Sequence, residues 1–138
     1  MSAWRRIALE RFPERRHEIE ERQSIYDLLQ LLEHDLRAFY RGERNEPNLA
    51  ERVFDFASWC FAPEQSWDLR NAVAVGFYEH LPNIPEGRRD ISARLPFETL
   101  TELHPLFVQM LEPEAYIALM AEIKRVHGRS LPSVPAAT

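Results

Sequence analysis

Acid–base and metal chemistry need carboxylates and imidazoles brought together, and this 138-residue chain offers three places to look. His17-Glu18-Ile19-Glu20-Glu21 carries a His and a Glu four residues apart, the spacing at which two helical side chains share a face and can hold one ion. The string lies in uniformly charged sequence with no third ligand downstream, so it reads as a solvated helix face. Glu33-His34-Asp35 sets three possible ligands in a row. Adjacent helical residues point about 100° apart and do not converge on one ion, so His34 and Asp35 read as the polar face opposite Leu32 and Leu36. Asp55, Asn71, Glu79 and His80 are the polar residues most embedded among apolar ones. Brought together between helices they would support acid–base or metal-dependent chemistry; held apart they would hydrogen-bond across helix interfaces. No nucleophile, phosphate loop or Gly-rich motif accompanies them.

Other residue types point to recognition. Arg88 and Arg89, with Arg94 nearby, form a compact basic patch suited to a phosphate or an acidic surface. Trp59 and Trp67 flank the turn around Pro63. Each either anchors an interface or seals the end of a bundle. His104 and His127 fall on apolar stripes, as core or edge histidines do. Cys60, between Trp59 and Phe61, reads as a buried small hydrophobe.

The elements that would position these residues are helical. Ile25, Leu28, Leu29, Leu32, Leu36, Phe39 and Tyr40 recur at three- and four-residue steps, one buried helix face. Ser24 with Asp27 suggests its cap, and Gly42 its end. Asn48-Leu49-Ala50-Glu51 reads as a capping box for a helix ended by Pro63. A third helix is expected from Ser66 to Leu81. The stretch Pro82–Arg94 reads as the longest loop. Pro96 and Pro113 fit first helical positions, Pro105 suggests a kink, and Gly128 a stop. Before these, residues 1–22 interleave Arg and Glu, and Pro13 separates a short helix, Ala3 to Phe12, from a second charged segment. No segment alternates apolar and polar residues over strand length. The expected fold is all-α: a single domain of five to six helices over 1–128, as a bundle or a short stack of helical pairs, with a disordered tail over 129–138.

Composition narrows the function. A net charge of −5 argues against general nucleic-acid binding, which needs surplus cations facing phosphates. It suits a basic protein partner or simply keeps the chain in solution. One cysteine permits no internal disulfide and fits a reducing, cytoplasmic setting. No apolar run approaches the roughly 20 residues of a membrane span. No cofactor motif is present.

Several strings resemble a family of small bacterial all-helical proteins of unknown function: Phe12-Pro13-Glu14, Ile19-Glu20-Glu21, Val53-Phe54-Asp55-Phe56-Ala57-Ser58-Trp59-Cys60, and above all Asn71-Ala72-Val73-Ala74-Val75-Gly76-Phe77-Tyr78-Glu79-His80-Leu81. The resemblance covers roughly residues 10–120. It implies an all-α fold and transfers no catalytic residue. Similarity to the helical immunity proteins that accompany toxins is looser. The expectation is therefore a non-enzymatic protein-binding module, of immunity type in its sharpest form. The alternatives are a small acid–base or metal-dependent enzyme using Asp55, Glu79 and His80, and a structural or regulatory homodimer.

Overall fold

A computed structural model describes residues 1–135. These residues form eight α-helices and no strand: α1 (Ala3–Arg11), α2 (Arg16–Glu21), α3 (Ile25–Tyr40), α4 (Leu49–Phe61), α5 (Trp67–Val73), α6 (Pro85–Arg94), α7 (Phe97–Met110) and α8 (Pro113–His127). Short 3-10 turns cover Pro13–Arg15 and Leu81–Asn83, and Ala74–Tyr78 winds as a π-helical turn. The chain divides into two compact units, Met1–Phe77 and the residues from Tyr78 onward.

In the first unit, α3 shows how local signals set a helix. The Ser24 hydroxyl accepts the Asp27 N–H at 3.2 Å, satisfying one donor the first turn leaves open. Leu28, Leu29, Leu32 and Leu36 are buried on one face. At the far end Gly42 takes φ +77°. Its N–H donates to the Phe39 carbonyl, and Glu43 N–H to that of Ala38, a pairing that closes the helix through a left-handed residue. Helix α4 packs against α1, α3 and α5, burying Val53, Phe54, Phe56 and Cys60. Phe56 meets Phe12 edge-on at 6.0 Å, and Phe54 meets Phe77 at 5.6 Å.

The charged N-terminal stretch is less solvated than its composition suggests. Ala8, Phe12 and Ile19 are fully buried, and Arg11, Arg15 and Arg16 each pair with a carboxylate. Arg52 donates to Glu14 at 2.6 Å and to the Arg11 carbonyl at 3.0 Å. Asp35, expected on the polar face of α3, is instead 1% exposed. Arg15 donates to it twice, at 2.9 and 2.6 Å, and Arg44 once at 2.6 Å. Arg44 also holds Glu46. A charge so deep is tolerable only because it is paired on several sides. The Asp35 contact raises the Arg15 pKa, and Arg44 pulls the Glu46 carboxyl down to about 2.

The second unit packs α6 against α8 and against the Leu81–Asn83 turn. Leu81, Ile91, Leu100, Phe107, Leu119 and Ile123 are fully buried. His104 is buried too. Its Nδ1 donates to the Pro132 carbonyl at 2.9 Å, so Nε2 accepts from the Tyr116 hydroxyl at 2.8 Å. His127 Nε2 donates to the Ser92 carbonyl at 2.8 Å.

Several sequence expectations are corrected. The helices number eight rather than five or six: α6 forms where a loop was expected, and the charged segment after Pro13, read as a solvated helix face, stands as a helix of its own, α2. Over Pro85–Arg94, Pro85 occupies a first helical position. Asp90 and Arg94 pair at 3.0 Å one turn apart. Gly87, a breaker by composition, is the residue that lets α6 lie on the Leu81 backbone. A Cβ there would fall 2.1 Å from the Leu81 oxygen. Asn48 makes no side-chain cap, since its left-handed φ of 59° turns its amide away from the first-turn N–H groups. Pro96 is the residue before α7 rather than its first. The helix expected from Ser66 to Leu81 is α-helical only to Val73 and then widens. The expected disordered tail begins with packed residues: Arg129 lies over the Phe97 ring at 3.7 Å, Leu131 is 9% exposed, and Pro132 holds His104. Residues 136–138 of that tail lie outside the described residues.

Candidate partner-binding cleft

Three helices of the first unit bring their ends to one place. Trp4 stands in the first turn of α1, Ile25 and Tyr26 open α3, and Trp67, Asp68, Leu69 and Asn71 belong to α5. With Ser66 they line a cleft of about 320 Å³. Local chemistry fixes each wall. The Ser66 hydroxyl accepts the Leu69 N–H at 3.2 Å and so sets where α5 begins, which places Trp67 at its first position. Ser2 caps α1 in the same way, through the Arg5 N–H at 3.4 Å. The Arg5 guanidinium then lies 4.7 Å from the centre of the Trp4 ring and donates to the Ile19 carbonyl at 2.6 Å, tying that wall to the end of α2. Tyr26 lies against Gly76 in the π-helical turn, where a Cβ would come 3.6 Å from the ring and 3.4 Å from Leu29. These are ordinary contact distances to side-chain atoms, so the π-helical turn packs on α3 without needing a glycine there.

The exposure of the walls is unusual for their chemistry. Trp67 is 74% exposed and Tyr26 45%. Among the described residues neither ring carries an aromatic or cationic neighbour, Asp68 has no ion pair, and the Asn71 amide has no hydrogen bond. An aromatic wall with two uncommitted polar groups beside it suits a ligand of mixed character, since most binding clefts join apolar area to a few placed polar atoms.

The residues singled out by sequence scatter over both units. The two tryptophans differ in their surroundings. Trp59 is half-buried, stacked on Phe56 at 6.4 Å, and its carbonyl accepts from Gln65 at 3.1 Å. Trp67 faces solvent. Asn71 lies in the cleft, while Asp55 is about half-exposed, 3.7 Å from Arg11. Glu79 is 6% exposed, with the half-exposed His80 at 3.5 Å. Arg88 donates to the Pro82 carbonyl at 3.0 Å. Arg89 is exposed, 3.9 Å from Glu86. Both stand on α6 rather than in a loop, and Arg88 is committed to its own backbone. His17 pairs only with Glu21, at 3.1 Å on the surface. Among the described residues no group of three or more His, Cys, Asp or Glu side chains is placed to hold a metal ion. No described helix is long and apolar enough to cross a membrane.

Tyr26 and Asp68 were not singled out by sequence. The one usable signal was an aromatic residue off its helix's apolar stripe, as Tyr26 stands beside Ile25 and Leu29.

A family model described as a domain of unknown function (DUF7674) matches residues 5–112. No curated protein matches the chain. No solved structure matches it.

Proposed function

We propose, for a chain that belongs to the DUF7674 family and takes no assigned activity from it, a non-enzymatic protein-binding role in which the first unit presents the Trp67 cleft to a partner. The observation that carries this reading is the 74% exposure of Trp67 at an apolar cleft. A tryptophan left in water forfeits the burial that most others obtain, and tryptophan is among the residue types enriched as energetic anchors of interfaces. The net charge of −5 supports a partner with a basic surface, as in immunity-type pairing. The single buried cysteine supports a reducing, cytoplasmic setting.

The test is site-directed photo-crosslinking in the native host. A photoreactive aromatic amino acid replaces Trp67 in one strain and the exposed Ser58 in another. Adducts are identified by mass spectrometry. One protein captured from position 67 and not from position 58 is the expected result. Trp67→Ala should then weaken binding of the purified partner by about thirtyfold. No adduct at position 67, or the same adducts at both positions, would remove the reading. An adduct with a second copy of the chain would replace it with a homodimer.

A further inference from the structure

Resting on that reading, we infer that the Trp67 cleft is a seat for a cationic side chain, an arginine or lysine carried by an apolar segment of the partner protein.

The chain itself shows how it handles guanidinium groups. Arg5 lies over Trp4, Arg70 over Phe61 at 4.4 Å, Arg52 near Phe12 at 5.6 Å, and Arg129 over Phe97. A cation is drawn to an aromatic face by the ring's quadrupole, most strongly for tryptophan. Trp67 and Tyr26 are without a cation among the described residues, whereas the Trp4 face is already taken by Arg5. The seat is therefore the Trp67–Tyr26 side.

Charge points the same way. The lining holds one carboxylate, Asp68, and no basic side chain. Asp68 is exposed and unpaired among the described residues, although the unit is rich in arginine and pairs Glu14, Glu20, Asp35 and Glu46. Asn71 adds a carbonyl oxygen with no internal donor among them. A guanidinium stacked on Trp67 would find an anionic and a neutral acceptor beside it, a match to its planar fork of donors. Ile25 and Leu69 leave apolar area for the residues flanking the cation. A carboxylate-bearing segment would meet Asp68 with like charge, and a wholly apolar one would cover Asp68 and Asn71 without satisfying them, which costs more than it gains.

The test uses the full chain and three capped tripeptides: Leu-Arg-Leu, Leu-citrulline-Leu, and Leu-norleucine-Leu. Citrulline keeps the planar shape and loses the charge; norleucine keeps only the stem. Binding is read from the indole N–H signals of the three tryptophans by NMR. We expect the arginine peptide to shift the Trp67 and Trp4 signals and leave Trp59 in place, with affinity roughly three- to tenfold above the citrulline peptide. Asp68→Asn should bring the two peptides together, and added salt should do so in part. Trp67→Leu should abolish the shift at Trp4. Asp68 and Trp67 are exposed, and a circular dichroism melt confirms that each variant is folded. Equal binding of the arginine and citrulline peptides overturns the inference, as does an Asp68→Asn variant that still separates them, or no shift with any peptide. A dimer formed through the cleft, seen as concentration-dependent sedimentation lost in Trp67→Ala, overturns it as well. Crosslinking at position 67 reads the interaction role separately, so a protein adduct together with equal peptide affinities keeps the interface and discards the cation.

Discussion

Replacing Gly87 by alanine tests what turns residues 85–94 from a loop into a helix. In an open helix the change would stabilise by roughly 1 kcal/mol, because alanine has less chain entropy to lose. At this position the new Cβ would stand 2.1 Å from the Leu81 oxygen, 2.8 Å from its Cγ and 2.9 Å from its carbonyl carbon. Two of those atoms are backbone and cannot rotate away. The same oxygen accepts the Ile84 N–H at 3.2 Å, and Leu81 is fully buried, so the turn is held from both sides. Relief requires α6 to rise about 1 Å off the turn, which loosens Ile91 against its neighbours. Overpacking of this kind costs about 1–3 kcal/mol, and more where backbone must move. Set against the helix gain, the net expectation is a loss of about 2 kcal/mol. Urea unfolding followed by circular dichroism measures it, as a lower midpoint at an unchanged slope. Gly76→Ala is the internal comparison. Its Cβ would meet only side-chain atoms, at 3.4 and 3.6 Å, and should leave stability within about 1 kcal/mol. A Gly87→Ala protein as stable as the parent, or more so, would refute the packing of α6 on Leu81.

Asp35→Ala leaves Arg15 and Arg44 facing each other without their shared carboxylate and should destabilise by about 3–5 kcal/mol in the same assay; a loss below about 1 kcal/mol would mean the cluster is not the anchor its burial suggests. Acid should weaken the first unit through Glu46. Its carboxyl lies at about 2 in the folded protein against an ordinary 4.5. Its contribution is therefore complete above pH 4.5 and drains away as pH falls toward 2. Glu46→Gln should flatten that part of the stability–pH curve, and an unchanged curve would contradict the pairing with Arg44. A chain ending at Ser130 loses the buried Leu131 and the Pro132 carbonyl that fixes His104. It should melt earlier, by about 2 kcal/mol of lost burial and hydrogen bonding, whereas a disordered tail would be removed at no cost.

The parts of this fold that sequence made legible are those set by local rules. The stripe from Ile25 to Tyr40 gave α3, the hydroxyls of Ser24 and Ser66 marked two helix starts, and Gly42 and Gly128 marked two ends. Pro105 did not break α7, whose stripe of Leu100, Leu103 and Phe107 carried through it. What stayed hidden depends on distant partners. Helix α6 has one strong apolar residue, Ile91, and exists because its glycine fits another backbone. Asp35 reads as surface until Arg15 and Arg44, twenty and nine residues away, close over it. The cleft is the same case. Trp67 stood out as an aromatic beside a turn, but its companions come from the ends of two other helices, and no spacing in the chain links Trp4 to Tyr26 or to Asp68. Membership of a family without an assigned activity identifies the protein's relatives and leaves the reading of this surface to its chemistry.

The lone cysteine gives the chain a built-in probe of its own breathing. Cys60 is fully buried on α4, and burial pushes its thiol up to about 12. Alkylating reagents attack the thiolate, so the native protein should be silent toward a maleimide or an aromatic disulfide near neutral pH. Every adduct then records a moment when α4 has lifted away from its neighbours. With reagent in excess, the labelling rate reports how often the first unit opens, in the intact protein and without a foreign tag.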